Sequence, residues 1–294
     1  TTNLRKWRPR SVKNVIDEIE YMKKIFGVEE FHLEDLNPTI DKKRMQNLAE
    51  EIIKKKLKII WKIGSGTKIE TVDEETLTIM AKSGCTFLSL SPETGSIELL
   101  KKMNKPFNHE RALELVKHMN SLNMTTQACF VLGYPEETET DRALTYQYCK
   151  KLAKAGCDEI ALFIMAPVPG ASTYQNYKEK ILQKNKQISL QDMSFSPKWR
   201  EDYNLYKKFR LKTYVGFMVT KMFYHPLKTL QQPWNIICKK FKTKMEMTIF
   251  RIGKTYILQW KKKKNILVLF WIIFIFTIYY LVRIIDILQY INKI

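Results

Sequence analysis

The sequence predicts an α/β fold: a partial, TIM-like (β/α)6 barrel lacking its first strand, then a basic helical extension and a C-terminal transmembrane helix. Three observations predict it. Short apolar runs begin near residues 30, 59, 87, 126 and 160, and each interval of roughly 30–40 residues holds one helical period, the repeat of a parallel sheet. The charge is uneven: residues 1–170 carry 26 Lys+Arg and 24 Asp+Glu, whereas 171–294 carry 24 and 6. Finally, Ile266–Val282 is a run of 17 residues without a charge.

The elements follow in order. Pro9 and Ser11 start a helix whose Val12, Val15, Ile16, Ile19, Met22 and Phe26 share a face, and Gly27 stops it. Glu30–Asp35 reads as a strand. Asp41 caps the next helix, with Met45, Leu48, Ala49, Ile52 and Ile53 inward. Ile59–Gly64 is a strand. Asp73 caps a helix through Leu77, Met80 and Ala81 that ends at Gly84. Phe87–Ser91 is a strand, Asn108 opens a helix, and Thr126–Leu132 is a strand. A helix from Thr138 to Ala155 stops at Gly156, and Glu159–Ala166 is the fifth strand. Five strands led by a helix imply one strand missing ahead of Trp7. Beyond residue 175, Pro197, Pro226 and Pro233 divide a Lys- and aromatic-rich stretch into short helical pieces. The expected division is therefore 1–174 barrel, 175–264 basic extension, and 265–294 membrane helix with a short tail.

Composition excludes several classes. Hydrophobic residues make up 45% and charged residues 27% of the 294, which is globular rather than disordered. The five cysteines (85, 129, 149, 157 and 238) contain no CxxC, and the four histidines form no HxxxH or HExxH. A disulfide scaffold, a zinc ribbon and a zincin are excluded, and no metal ligands are assigned. Cys85 and Cys129 read as small strand hydrophobes, and His32 as a core residue.

In a parallel sheet, functional groups gather at the carboxyl ends of the strands. Those positions hold Glu34, Asp35 and Asn37; then Gly64-Ser65-Gly66; then Ser91-Pro92-Glu93-Thr94-Gly95-Ser96; then Gly133-Tyr134-Pro135-Glu136-Glu137-Thr138; then Pro167-Val168-Pro169-Gly170. Acceptors converge there with glycines that admit a ligand to the backbone. Gly64–Gly66 is too short for a phosphate loop, and no GKS follows it. Glu93–Ser96 also reads as a helix N-cap with an acidic first turn.

As a set, these segments resemble the radical S-adenosylmethionine superfamily, in particular its branch with an N-terminal cobalamin-binding domain. The residues that carry the resemblance are Trp7–Ser11, Phe31–Asp35, Ser91–Ser96, Phe130–Thr138, Pro167–Gly170 and Ser196–Tyr203. The resemblance implies an enzyme that cleaves S-adenosylmethionine at a [4Fe–4S] cluster held by a CxxxCxxC loop. It implies that Glu34 and Asp35 lie near the methionine amine. Glu93, Thr94 and Ser96 would hold the ribose and methionine, Gly133 and Tyr134 would lie beside the adenine, and Pro167, Pro169 and Gly170 would line the mouth. CxxxCxxC is absent from the sequence. A truncated copy is therefore expected, with cluster and cobalamin belonging to a full-length protein.

The extension suggests location and partners. At 1.5 Å per residue, Ile266–Val282 covers about 25 Å, near the hydrocarbon thickness. Six Lys or Arg lie between Arg251 and Lys264, against two (283 and 293) beyond the run. The positive-inside rule then predicts a single-pass membrane protein, with the barrel on the cytoplasmic side and basic residues on the anionic leaflet. The expected substrate is a small or lipid-like molecule; no nucleic acid is expected, and the electron donor is unspecified. Two alternatives are a tRNA-modifying methylthiotransferase-like protein, which needs a β-rich RNA-binding domain after the barrel, and a non-catalytic, membrane-anchored barrel.

Overall fold

The structure is a computed structural model that describes residues 8–35, 37–166, 174, 197 and 200–263, with side chains to 255. The barrel elements alternate as expected. Helix α1 is Val12–Phe26, β1 Glu30–Leu33, α2 Lys42–Lys54, β2 Ile60–Thr67, α3 Glu74–Lys82 and β3 Cys85–Glu93. Next come α4 Ile97–Met103, α5 His109–Ser121, β4 Thr125–Leu132, α6 Glu139–Ala155 and β5 Glu159–Ile164. Helices α7 (Tyr203–Tyr224), α8 (Pro226–Ile237) and α9 (Lys244–Lys263) follow.

Local signals fix most helix starts. The side chains of Ser11, Asp41, Asp73 and Asn108 each accept a backbone N–H from the first turn of α1, α2, α3 and α5. Each thereby satisfies one of the orphan donors of a helix start. Thr138 and Asp141 form a reciprocal capping box on α6. Strands β2 and β3 run further toward their carboxyl ends than the sequence reading, to Thr67 and Glu93. Helix α4 was not given a range by the sequence reading, which read Glu93–Ser96 as a strand-end segment or a helix N-cap; Ser96 is its N-cap.

The five strands are all parallel and lie in sequence order, β1 to β5. All their carboxyl ends therefore share one edge. The face under the helices is apolar: Trp61, Ile63, Leu88, Leu90, Ala128, Phe130, Leu132, Ile160, Leu162 and Ile164 are buried in the core with side chains from α1, α2, α3, α5 and α6. The opposite face carries a polar ladder. Ser89, Gln127 and Glu159 are register partners on adjacent strands. Ser89 Oγ donates to Gln127 Oε1 (3.2 Å), and Gln127 Nε2 donates to Glu159 Oε1 (2.6 Å).

The chain divides into two compact units, Thr1–Trp234 and Asn235–Ile294. In the first, Asp158 anchors the helices beyond the barrel. Lys221 Nζ is fully buried and donates to Asp158 O at 2.7 Å, and Lys228 Nζ lies 2.9 Å from the Asp158 carboxylate. In the second, Glu246 accepts from Asn235 Nδ2, Lys242 N and Thr243 N.

The membrane reading is corrected. Among the described residues, no helix is long and apolar enough to cross a membrane. Ile266–Val282, on which the transmembrane helix, the membrane partner and the single-pass localisation rested, lies outside the described residues.

Candidate functional site

The carboxyl edge of the sheet gathers the predicted residues. Leu33 pairs with Ile63, Thr67 with Leu90, Glu93 with Phe130 and Leu132 with Ile164. Glu34 and Asp35, Ser65–Thr67, Glu93–Ser96 and Gly133–Glu137 consequently follow one another along a single rim. Pro167, Pro169 and Gly170 lie outside the described residues.

Just past β1, Glu34 lies with Oε1 3.8 Å from His32 Nδ1, while on the strand Glu30 receives His32 Nε2 at 2.8 Å and Lys62 Nζ at 2.6 Å. Burial raises the Glu30 pKa, but His32 and Lys62 outweigh it and the net direction is down. His32 thus belongs to an exposed ion-paired group and not to the core. On β2, Gly66 is required by contact: a Cβ there would lie 1.6 Å from Ser91 Oγ on β3.

Glu93 closes β3 with φ 61°, in the left-handed region that β-carbon-bearing residues seldom occupy. Lys105 Nζ holds its carboxylate at 2.7 Å. The next three residues turn away from the rim and dock on α6. Thr94 Oγ1 and Thr145 Oγ1 share a hydrogen bond (3.0 Å), and Gly95 N donates to the same Thr145 oxygen (3.0 Å). A Cβ on Gly95 would lie 2.5 Å from Leu144 O. Ser96 Oγ donates to Asp141 Oδ1 at 2.5 Å and accepts Leu99 N–H as the N-cap of α4. His109 Nε2 donates to Thr94 O at 2.8 Å, which fixes its tautomer. The hydroxyls of Thr94 and Ser96 are thus already engaged in shaping the turn that presents Glu93.

Past β4, Gly133 has φ 77°. Its N–H donates to Glu137 Oε2 (3.0 Å), and its carbonyl accepts from Arg200 Nη1 (3.0 Å). The same Nη1 donates to Met165 O beyond β5 (2.9 Å), so one guanidinium ties the ends of two strands. Asp202 holds the other side of Arg200 through Nε and Nη2, and Tyr206 lies under its guanidinium at 5.4 Å. The Glu137 side chain is fully buried. Burial raises its pKa against the opposing pull of Gly133 N–H, the Tyr206 hydroxyl and Arg142, and the net direction is up.

The edge fits a polar organic ligand. Asn37 Nδ2, Ser65 Oγ and Thr67 Oγ1 are buried there without a hydrogen-bond partner, a cost that native structures seldom carry. An iron–sulfur cluster does not fit the cysteines. Among the described residues, which include all five, no three His, Cys, Asp or Glu side chains group to hold a metal. Burial pushes the Cys85 and Cys157 thiols up to about 12 and that of Cys149 well above its ordinary value, whereas a metal ligand must be a thiolate.

Comparison with known proteins shows the family. The sequence profile of the Radical SAM superfamily matches residues 1–149, half of the chain. The chain belongs to that superfamily. Among curated proteins, this radical SAM chain is similar to cytidylyl-2-hydroxyethylphosphonate methyltransferase of Streptomyces wedmorensis, with 31% identity over 173 residues, 56% of this chain and 32% of that protein. It is also similar to anaerobic magnesium-protoporphyrin IX monomethyl ester cyclase of Rubrivivax gelatinosus, with 30% identity over 180 residues, 60% of this chain and 31% of the cyclase. The radical SAM chain spans about a third of the length of these relatives. A solved radical S-adenosylmethionine methyltransferase of Kitasatospora setae, TsrM, superposes with TM-score 0.47 at 18% identity, over 52% of this chain and 30% of its own, too distant to bear on the site.

Sequence reasoning gave no role to four residues of the rim. Ser65 was discounted with its short glycine loop, and Glu137 was quoted without a role. Arg200 was quoted within Ser196–Tyr203 without a role, and it and Tyr206 lie about 70 residues beyond the turn they hold, so no local pattern links them to it.

Proposed function

We propose that this chain is the S-adenosylmethionine-binding barrel of a radical SAM enzyme that modifies a small-molecule substrate, with cobalamin as a second cofactor of the whole protein. The observation that carries the reading is the gathering of strand-end polar groups on one edge in a chain of this superfamily. When bound together, cluster and cofactor supply a 5′-deoxyadenosyl radical for hydrogen abstraction. This chain's residues contribute binding and orientation. Glu34, Asp35 and Glu93 offer carboxylates to an ammonium or ribose hydroxyls. Ser65 and Asn37 offer unfilled hydrogen-bonding capacity, and the resemblance to the superfamily puts the Gly133–Tyr134 turn, braced by Arg200 and Glu137, beside the adenine. Thr94 and Ser96 are positioning residues for Glu93. Cobalamin rests on the resemblance of the strand-end motifs to the cobalamin-binding branch.

The methylthiotransferase alternative is not favoured, since the described residues from 203 to 263 are helical and not a β-rich RNA-binding domain. The test is calorimetric titration of the chain with S-adenosylhomocysteine, which needs no cluster. Binding is expected, with a loss of about tenfold in Ser65→Ala, the worth of one hydrogen bond of roughly 1.4 kcal/mol. A folded chain that shows no binding refutes the reading.

A further inference from the structure

Helices α6 and α7 leave a groove of about 530 Å³ on the outer surface of the first unit, away from the rim. From α6 it is lined by Tyr146 and Lys150, and from α7 by Lys208, Leu211, Lys212 and Val215, with Gly216 and further α7 residues completing it. Gly216 lets the two helices approach: a Cβ there would lie 2.6 Å from the Tyr146 ring. The ring is thereby fixed against α7. Lys150 Nζ lies 5.7 Å and Lys212 Nζ 5.4 Å from its centroid. The two ammoniums are therefore no further apart than the sum of those distances.

The lining contains three lysines and no carboxylate. None of Lys150, Lys208 and Lys212 takes part in an ion pair among the described residues. Elsewhere on the barrel, some lysines are neutralised, as Lys42 is by Asp73, Lys55 by Glu20, Lys62 by Glu30 and Lys105 by Glu93. Like charges gathered around one ring repel, and a cation–π contact returns only about 0.5–1 kcal/mol at an exposed site. A dianion between the ammoniums removes that repulsion. Ammoniums act as point charges and suit phosphate, without the fork geometry that selects a carboxylate. Beside them, Leu211 is 66% and Val215 50% exposed. A bare phosphate leaves this apolar floor in water, whereas an apolar body attached to the phosphate covers it. The volume is that of a small-molecule site.

We propose that the α6–α7 groove binds a phosphate ester with an apolar or aromatic body, its phosphate held by Lys150, Lys208 and Lys212 and its body lying on Leu211 and Val215 beside Tyr146. The site is independent of the rim and of any reading of its chemistry.

The experiment is calorimetric titration of the full chain with phenyl phosphate, inorganic phosphate and phenol, at two salt concentrations. Phenyl phosphate is expected to bind at least tenfold more tightly than either of the others, and more weakly at the higher salt. The Lys150→Gln/Lys212→Gln chain loses about tenfold or more in phenyl phosphate affinity, and Lys150→Arg/Lys212→Arg recovers most of it. Leu211→Ser/Val215→Ser abolishes the preference for phenyl phosphate over inorganic phosphate. These side chains are at the surface, and unchanged far-UV circular dichroism confirms each variant's fold. S-adenosylhomocysteine affinity stays the same in all of them, so a failure here is separable from a failure at the rim. Equal affinity for inorganic and phenyl phosphate overturns the proposal, as does phenyl phosphate binding that ignores the lysine substitutions. A polyuridylate oligomer that displaces phenyl phosphate and itself binds more tightly through the same lysines overturns the small-molecule assignment.

Discussion

Replacing Asp141 by Asn tests how the rim is held. Asp141 is buried and accepts three hydrogen bonds: Ser96 Oγ–H at 2.5 Å on Oδ1, and Thr138 N–H at 2.9 Å and Thr138 Oγ–H at 2.7 Å on Oδ2. It thus joins the N-cap of α4 to the capping box of α6, 45 residues apart. An Asn keeps one acceptor oxygen and turns an NH₂ toward the remaining donors. With the NH₂ toward Ser96, the Ser96 hydroxyl must turn round to accept; with it toward Thr138, the Thr138 N–H loses its acceptor; in both cases the bonds lose the carboxylate charge. Hydrogen bonds to a charged group contribute about 1.5–3 kcal/mol each, so the substitution is expected to cost roughly 2–4 kcal/mol. At about 2–4 °C per kcal/mol for a domain of this size, the melting temperature falls by roughly 4–16 °C. The pH dependence gives a second reading. Burial raises the Asp141 pKa, but the Ser96 and Thr138 donors outweigh it and the folded value is depressed. A depressed carboxyl contributes stability above its unfolded pKa of about 3.9 and loses it as pH falls through the folded value. The wild-type advantage over Asp141→Asn should therefore shrink as the pH is lowered below about 4. Urea unfolding followed by circular dichroism measures both. Because Ser96→Ala removes the same bond, the double variant should fall short of additivity. A loss below about 1 kcal/mol, or full additivity, refutes the account of this link.

Gly133→Ala should destabilise by more than about 1 kcal/mol, because φ is 77° and the new Cβ lies 2.8 Å from Arg200 Nη2; adding Arg200→Ala should recover only part, since the dihedral strain remains, as urea midpoints would show. In the folded chain at pH 8, Cys238 should be alkylated by iodoacetamide first, while Cys85, Cys149 and Cys157 stay protected until unfolding, as read by mass spectrometry. Asp158→Ala should destabilise the chain by more than about 1 kcal/mol in denaturant unfolding, because it removes a buried carboxylate that pairs with Lys228 and lies beside the buried Lys221 ammonium. Anaerobic iron–sulfur reconstitution of this chain should yield no [4Fe–4S] absorbance; a stoichiometric cluster would show that its cysteines regroup.

The sequence by itself determined the repeat and its direction. Apolar runs separated by single capped helices leave a parallel sheet as the economical way to bury both, and a parallel sheet brings every strand's carboxyl end to one edge. Glu34, Glu93 and Gly133 could be placed on a common rim for that reason. Caps such as Ser11, Asp41, Asp73, Asn108 and Thr138 were legible because their partners are three residues away. What those rim residues touch was decided only by tertiary structure. Thr94 and Ser96 carry the hydroxyls expected of a ligand site, yet spend them on Thr145 and Asp141, 51 and 45 residues later. Arg200 reaches back 67 residues to Gly133, and lysines from two helices line one groove beside Tyr146. Periodicity and capping are local, whereas hydrogen bonds across a sheet of crossovers join residues whose separation is set by loop lengths. A hydroxyl's chemistry can be read from its residue type, but whether ligand or protein takes up its hydrogen bond depends on which distant segment packs against it.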